Sequence, residues 1–263
     1  MFINTISNSK RDTFKQCKLK YRYRYVERLG DYDISNTDAL HFGSYIHQIF
    51  EDGYKSTSLS GLEKVAEENK EKYTFNESYN SKIMPCLKNF LRFNSSLPED
   101  GIPEQHFDIE ISEGITMNGY IDRIIKGKSG GYLVIDYKTS KREKNKVDLY
   151  QDPQLKGYVY AVHKLYGVPI NQITAAHYYP LTDNLVNVQY TTNQIHSHVR
   201  SVVEDVWRIR KSKKVDLVPM RNQYCNWCSY KSLCPEFTEG FVIQTRLDEA
   251  KVKKEEAKAK KKG

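Results

Sequence analysis

The middle of the chain contains three closely spaced segments that are rich in β-branched and aromatic residues. They read HFDIEIS, ITMNGYIDRII and GYLVIDYK, and the turn-forming residues Glu113-Gly114 and Ser129-Gly130-Gly131 separate them. This composition and spacing predict three neighbouring strands, and further strands are expected near 173–179 and 185–190. The chain is therefore constrained to build a sheet, with helical patterns before and after it.

Helical periodicity dominates the rest of the chain. Helices are predicted over about 10–26, 37–55, 149–166 and 192–211. In the first of these, Ser9 can cap the first turn, and in the second Leu40, Ile46 and Phe50 are expected to point inward. We expect one α/β domain over residues 1–240, followed by a basic, lysine-rich tail over 241–263. The sections of the domain are a mainly helical part (1–103), a sheet core with the active site (104–191), and a C-terminal helix with a cysteine segment (192–240).

The charge of the chain is unevenly distributed. The net charge is +8, but the last thirteen residues, KVKKEEAKAKKKG, hold seven lysines and two glutamates. The overall charge is therefore weak evidence for a nucleic-acid partner. The tail is either a solvated helix or frayed end, or an arm attracted to phosphates. We expect a cytoplasmic or nucleoid-associated protein without membrane contact, because neither a secretory signal nor a run of ~20 apolar residues is present.

Asp136 and Lys138 lie two residues apart at the end of an apolar strand. Alternate residues of a strand share a face, so both side chains point the same way. By itself this pair favours a surface ion pair on an edge strand. The preceding strand, however, places Asp122 within hairpin range of Asp136. Two carboxylates on adjacent strands form an oxygen-rich site that suits Mg²⁺ or Mn²⁺.

Two predicted helices carry further polar residues at i, i+4 spacing. His47 and Glu51 share one face of the helix before the sheet, and Gln154 and Tyr158 share one face of a helix after it. Taken alone, His47 favours a histidine satisfied in the core, and Glu51 favours a surface salt bridge. For Tyr158, packing in the core and contact with substrate are both open.

The segment CNWCSYKSLC places Cys225, Cys228 and Cys234 within ten residues. A closed zinc site or an iron–sulfur cluster requires four ligands, so one is missing. Cys17 and Cys86 are the two candidates, and Cys86 follows a proline among apolar residues, as a buried cysteine does. Spacing alone does not decide between zinc and a cluster.

Three aromatic residues lie among these cysteines. Tyr224, Trp227 and Tyr230 are candidates for stacking on unpaired bases. We expect at least two of them to pack around the cysteines instead.

Together these residues resemble the RecB-like branch of the PD-(D/E)xK nucleases. The matching elements are Gly43…His47, Gly119-Tyr120-Ile121-Asp122-Arg123, Asp136-Tyr137-Lys138, and Gln154-Leu155…Tyr158. The resemblance covers roughly 7–235. It implies a restriction-endonuclease-like fold, in which a mixed β-sheet is flanked by helices. Asp136 stands where many relatives have Glu, and the tail beyond Glu239 has no counterpart.

The resemblance also implies the metal site. His47, Asp122, Asp136 and the Tyr137 carbonyl would bind Mg²⁺ or Mn²⁺, and Asp122, Asp136 and Lys138 would be catalytic. Lys138 would position the attacking water or offset charge on the phosphate. Gln154 and Tyr158 would orient the lysine and the DNA backbone.

Iron–sulfur members of this branch carry one cysteine in an N-terminal FxxCxxxY element, matched here by Phe14, Cys17 and Tyr21. The resemblance therefore implies a [4Fe–4S] cluster on Cys17, Cys225, Cys228 and Cys234. Structural Zn²⁺ on the same cysteines remains the alternative.

The expected function is a Mg²⁺- or Mn²⁺-dependent DNA exonuclease acting on single-stranded ends in recombination, repair or replication. A helicase or recombination protein is the expected partner. The basic residues of the first helix would contact DNA phosphates. These residues are Arg11, Lys15, Lys18 and Arg22. The alternative is a noncatalytic iron–sulfur protein that binds nucleic acid and keeps the nuclease fold.

Overall fold

The computed structural model describes residues 3–33, 38–98, 101–128 and 130–260. The predicted helix start at Thr37, the turn residue Ser129 and the last three residues of the tail lie outside these ranges. The chain forms two compact units. Unit 1 consists of Met1–Ile3, Ser9–Thr37 and Asp205–Gly263. Unit 2 consists of Asn4–Asn8 and Asp38–Glu204.

Unit 2 is built on a mixed sheet, as predicted. The strands are β1 (Thr5–Ile6), β2 (Ile102–Ser112), β3 (Ile115–Lys126), β4 (Tyr132–Tyr137), β5 (Ile173–Tyr179) and β6 (Asn184–Gln189). Their order is β1-β3-β4-β5-β6, and β2 also pairs with β3. β3 and β4 are antiparallel, whereas β4 and β5 are parallel. A parallel pair requires a crossover, which the segment 138–172 provides.

Two helices occupy that crossover where the sequence predicted one. They are α6 (Lys146–Tyr150) and α7 (Pro153–Tyr166). Gln151 and Asp152 lie between them. The Asp152 side chain accepts hydrogen bonds from the backbone N–H groups of Gln154 and Leu155. Proline suits the first position of a helix because its missing N–H would be unpaired there anyway. Asp152-Pro153 therefore starts a new helix.

Three helices before the sheet form much of the core of unit 2. They are α3 (Asp38–Asp52), α4 (Leu59–Lys70) and α5 (Asn80–Ser95). The ring of Phe50 stacks on that of Phe90, with centroids 3.9 Å apart, and both pack edge-on against Tyr137 of β4. Cys86 is fully buried in this cluster. The predicted inward position of Ile46 and Phe50 is confirmed, whereas that of Leu40 is wrong, since Leu40 is exposed.

Unit 1 contains the predicted N-terminal helix in interrupted form. The pieces are α1 (Asn8–Gln16), α2 (Lys18–Tyr21) and a π-helical turn (Arg22–Val26). Cys17 interrupts the helix with extended backbone angles, φ −159° and ψ 116°. The Leu19 N–H then donates to the Val218 carbonyl instead of to its own helix, at 3.1 Å. The break therefore joins this region to the chain just before the cysteine segment.

Two long helices complete the described chain. They are α8 (Thr192–Lys211) and α9 (Gly240–Lys260). α8 has the predicted bounds. Among the described residues, no helix has both the length and the apolar character needed to cross a membrane.

Candidate active site

Asp122 and Asp136 face each other at the end of the β3–β4 pair. The last paired residues are Arg123 and Ile135, so the same register brings Asp122 opposite Asp136. The Tyr137 N–H donates to Asp122 Oδ2 at 2.7 Å. The Asp136 side chain is 1% exposed. The hairpin relationship predicted from the sequence therefore places two carboxylates side by side at a strand end.

His47 reaches this point from α3. Its Nε2 lies 2.8 Å from the Tyr137 carbonyl oxygen, and its Nδ1 lies 3.4 Å from Asp122 Oδ2. The close approach of α3 requires a small residue one turn earlier. A Cβ atom on Gly43 would lie 3.3 Å from Thr139 Oγ1, which is tight even for van der Waals contact. The Gly43…His47 spacing thus positions the imidazole against the strand end.

Lys138 is held between an acid and an amide. Its Nζ lies 2.5 Å from Asp136 Oδ2 and donates to Gln154 Oε1 at 3.0 Å. The Gln154 Nε2 in turn donates to the Tyr158 hydroxyl at 2.7 Å. The i, i+4 pair on α7 therefore orients the lysine, and the buried Tyr158 orients the glutamine.

The site separates the pKa values of its two carboxyl groups. Burial, the largest effect, raises the pKa of Asp136 to about 6, and the neighbouring Asp122 charge raises it too. Burial also acts to raise the pKa of Asp122, but His47, the Tyr137 N–H and Lys138 outweigh it and lower that pKa. For His47, burial is outweighed by Asp122 and Asp136, so its pKa is raised. One firmly ionised carboxylate thus lies beside one that protonates more readily.

Six of the predicted site residues line one cavity of about 500 Å³. They are His47, Asp122, Asp136, Tyr137, Lys138 and Gln154. Two carboxylates, one imidazole and one carbonyl are donors that suit a divalent ion such as Mg²⁺ or Mn²⁺. As the side chains stand, no group of three or more His, Cys, Asp or Glu in the described ranges is arranged to hold a metal ion. His47 bonds instead to the Tyr137 carbonyl, and Lys138 engages Asp136.

Sequence reasoning missed His177 and the role of Asp152. His177 is fully buried on β5, and its Nε2 lies 3.5 Å from Asp136 Oδ2 and 3.7 Å from Asp152 Oδ2. Although both carboxylates are near, this nitrogen makes no hydrogen bond within the part of the chain that the structure describes. The pairing of β4 with β5 creates the contact, and no local motif indicates it.

Glu51 is not the surface salt-bridge residue that the sequence favoured. It lines the same cavity and shares a hydrogen bond with Glu104, which together with burial raises the pKa of Glu51 to about 7. Glu104 has a backbone φ of 40°, a left-handed value that few residues other than glycine adopt. The β2–β3 register places Glu104 across from Asp122. A second acidic pair therefore lines the cavity.

The four predicted cysteine ligands line one cavity in unit 1. These residues are Cys17, Cys225, Cys228 and Cys234. Burial raises the pKa of the Cys228 thiol, and the neighbouring Cys17 and Cys225 raise it further. Beside them lies a small apolar core of Leu19, Tyr23, Tyr230 and Leu233. Tyr230 packs there, but Tyr224 and Trp227 are exposed, so the expectation that at least two of the three rings pack around the cysteines is wrong.

The basic residues of the first helix are mostly engaged within unit 1. The Arg11 guanidinium is buried against the Asp205 carboxylate at 2.5 Å, and Lys15 also pairs with Asp205 at 2.8 Å. Arg22 pairs with Glu27 at 2.8 Å, and Lys18 lies near the ring of Phe14. Arg11 is buried, so the expectation that it lies on a surface that contacts phosphates is wrong.

The fold and this constellation of residues define a nuclease of the PD-(D/E)xK class. A family model described as the PD-(D/E)XK nuclease superfamily matches residues 5–235, and the chain belongs to that superfamily. Its members generally use divalent metals.

Named relatives agree with this assignment, and one solved structure has a similar fold. One subunit of the ATP-dependent helicase/deoxyribonuclease of Streptococcus agalactiae is 28% identical over 177 residues, which cover 60% of this chain and 16% of the relative. The corresponding protein of Streptococcus pyogenes is 24% identical over 214 residues, or 74% of this chain and 19% of the relative. The chain thus spans less than a fifth of these relatives. A candidate exonuclease of Eubacterium rectale has a similar fold, with a TM-score of 0.52, 17% identity, and coverage of 86% of this chain and 88% of that one.

Proposed function

We propose that this protein is a metal-dependent DNA nuclease that acts as an exonuclease on single-stranded ends. The observation that carries the proposal is the convergence of His47, Asp122, Asp136 and Lys138 on one cavity. The deoxyribonuclease named among the streptococcal relatives supports DNA as the substrate. Recombination, repair or replication is the proposed setting.

His47, Asp122, Asp136 and the Tyr137 carbonyl would hold Mg²⁺ or Mn²⁺. A bound divalent ion lowers the pKa of a coordinated water and polarises the scissile phosphate. Within the chain, Asp122 is kept ionised by its neighbours and so presents a permanent negative charge. One nitrogen of His47 faces the Tyr137 carbonyl and the other faces Asp122, so a role of the imidazole as a metal ligand would replace one of these two contacts.

Lys138 would supply positive charge where the phosphate becomes more negative. Its ammonium group stays protonated, because Asp136 and Asp122 outweigh burial and raise its pKa. Gln154 and Asp136 both contact the ammonium group, so the charge is positioned before substrate arrives. A charge that is already oriented stabilises the transition state without a cost of reorganisation.

The four cysteines would hold a [4Fe–4S] cluster, with structural Zn²⁺ as the alternative. The support is that all four line one cavity although Cys17 lies 208 positions before Cys225 in the chain. Such a cluster would tie the N-terminal helices of unit 1 to its cysteine segment. Cys86 is not part of the proposed set, since it is buried in the core of unit 2.

The names of the streptococcal relatives also support a helicase as the partner. Lys15, Lys18 and Arg22 remain proposed phosphate contacts, and the basic tail is a further candidate.

Digestion of end-labelled DNA tests the proposal directly. Single strands and duplexes of one sequence, labelled at either the 5′ or the 3′ end, would be incubated with Mg²⁺, Mn²⁺ or EDTA. We expect metal-dependent loss of single strands and very short labelled products from one of the two ends. Resistance of every substrate in both metals would contradict the proposed activity, and internal cuts alone would contradict the exonuclease assignment.

A further inference from the structure

Two aromatic rings project from one tight turn in the cysteine segment. Cys225–Trp227 is a 3₁₀ turn, and the Trp227 N–H donates to the Tyr224 carbonyl at 3.1 Å. In a 3₁₀ helix the side chains at i and i+3 eclipse, so this turn favours the placement of the rings of Tyr224 and Trp227 on the same side. Tyr224 is 51% exposed and Trp227 is 65% exposed. Paired, exposed aromatic rings on one turn are unlike the single apolar residues that ordinary surfaces carry.

Hydrogen bonds from Asn222 fix the turn on which these rings stand. The Tyr224 N–H donates to Asn222 Oδ1 at 2.9 Å, and the Asn222 N–H donates to Cys225 Sγ at 3.3 Å. The Asn222 amide also donates to the carbonyls of Gln16 and Met220, at 2.9 and 2.8 Å. A backbone held in this way presents the rings without an ordering cost when a ligand binds.

The surroundings of the rings are basic. Among the described residues that line the adjacent cavity, the cations are Lys20, Arg221 and Lys231, and the acid is Glu236. The Arg221 guanidinium and the Lys231 ammonium each lie 5.1 Å from the centroid of the Phe237 ring. Cations and aromatic rings therefore lie close together here, and Arg221 also pairs with Glu236 at 4.0 Å. This combination matches a chain of phosphates and unpaired bases.

We propose that this surface, the Tyr224–Trp227 platform, binds single-stranded DNA by stacking unpaired bases on its two rings. Arg221, Lys231 and Lys20 would contact the phosphates. Duplex DNA fits poorly, because its bases are stacked on each other and hide their faces. The proposal rests on the proposed function, since it assigns unit 1 a binding site for the single strand that the nuclease would degrade.

Binding measured without cleavage tests the platform separately from the nuclease activity. The full chain would be prepared anaerobically with Asp136→Asn, in buffer without divalent metal, and titrated into a fluorescently labelled oligothymidylate. Trp227→Ala is expected to weaken binding about 5- to 150-fold, the range for removal of one base–aromatic stack. Tyr224→Ala should have an effect in the same range. Both variants should leave the binding of a blunt duplex unchanged.

The chain offers a matched control for the loss of an exposed indole. Trp207 is the other tryptophan, is 49% exposed, and lies on α8 beside Arg210, outside the turn. Trp207→Ala should bind oligothymidylate like the parent protein. Trp227→Phe, which keeps a π-face, should recover most of the affinity and shows that the turn still folds.

Each of the following outcomes would contradict the proposal that the platform binds single-stranded DNA. Parental affinity of Trp227→Ala for single strands means that no base stacks there. Equal weakening by Trp207→Ala, or equal weakening on the duplex, indicates a general loss of charge or fold. If no DNA substrate binds in a way that depends on Trp227, the proposal is wrong, and the exposed rings would instead be a contact surface for a protein. Failure of the nuclease itself is detected independently, in the digestion of end-labelled DNA with metal.

Discussion

His177 lies directly beside Asp136 across the parallel β4–β5 pair, with its Nε2 3.5 Å from Asp136 Oδ2. Its Nδ1 lies 3.3 Å from the Tyr179 hydroxyl, which accepts the Lys144 N–H and has its own proton to donate. If the hydroxyl donates to Nδ1, the imidazole proton lies on Nε2, which faces the carboxylates of Asp136 and Asp152. Burial foremost, and then the charge of Lys138, lowers the pKa of His177 to about 4, so the ring is neutral at pH 7.

Replacement of His177 should therefore reduce turnover without weakening the binding of DNA. His177→Ala removes the imidazole that faces Asp136 from β5. Loss of a partner that orients a metal ligand costs about 10- to 100-fold in activity or metal affinity. We expect a lower kcat, a higher requirement for metal and an unchanged KM. His163→Ala is the control. His163 lies on α7, and its ring contacts the Val168 carbonyl and not the site. A parental kcat in a stable His177→Ala protein would show that the contact has no positioning role.

The two carboxylates and the lysine should be required for cleavage. Asp122→Asn and Asp136→Asn are each expected to abolish digestion of labelled DNA, and Lys138→Ala should lower kcat by about 10²- to 10³-fold, the usual effect of removing one charge-stabilising group. DNA binding should persist in all three variants. Asp108→Asn provides a control, since Asp108 is an exposed carboxylate on β2 of the same sheet. Digestion by Asp136→Asn at the parental rate would refute the assigned site.

The cysteines should bind metal as a set of four that excludes Cys86. Anaerobically purified protein is expected to be brown, to absorb broadly near ~400 nm and to contain about four irons per chain. Cys17→Ala should bleach the protein and lower its thermal stability. Cys86→Ala should keep the colour, because Cys86 lies in a separate apolar core. One firmly bound zinc without iron would establish the structural alternative.

The stability of unit 1 should depend on the ionisation of Asp205. Burial acts to raise the pKa of Asp205, but its hydrogen bonds to Lys15 and Arg11 outweigh burial and lower that pKa. A carboxyl group whose pKa is lowered by folding stabilises the fold above its unfolded pKa of about 3.9 and loses that contribution as the pH falls through the folded pKa. At pH 7, Asp205→Asn should therefore reduce the free energy of unfolding by about 3–5 kcal/mol, because the buried Arg11 guanidinium loses its charged partner.

Urea unfolding of the parent and of Asp205→Asn across pH 7 to 2.5 measures this effect. The difference between the two proteins should stay constant down to about pH 4 and then shrink, as Asp205 becomes protonated in the parent. Asp248→Asn is a suitable control, since Asp248 forms only exposed contacts on α9. A difference that does not vary with pH would mean that Asp205 stabilises unit 1 by packing and not by charge.

The local sequence was enough to predict that β3 and β4 form a hairpin and that Asp122, Asp136 and Lys138 lie at its end. Alternation along YLVIDYK fixes Asp136 and Lys138 on one face, because successive side chains of a strand point in opposite directions. A short turn fixes Asp122 next to Asp136, and i, i+4 spacing fixes Gln154 beside Tyr158. These are local relationships, so the backbone geometry of a few residues is enough to predict them.

The break of the first helix depends on information that local spacing does not contain. The periodicity of 10–26 favours one continuous helix, yet the backbone of Cys17 is extended, and the Leu19 N–H donates to the carbonyl of Val218, about 200 positions away, instead of to its own helix. The burial of Arg11 has the same origin, since its partner Asp205 lies 194 positions along the chain. In both cases a distant polar group outcompetes the local preference.

Long-range packing also sets which further residues contact the site or line its cavity. His177 reaches Asp136 only because β5 pairs in parallel with β4 after a crossover of 35 residues. Glu51 meets Glu104 only because α3 packs against the end of the sheet. Such contacts join segments whose separate sequences carry no sign of each other, since register and packing are set by the burial of the whole core and not by the local chain.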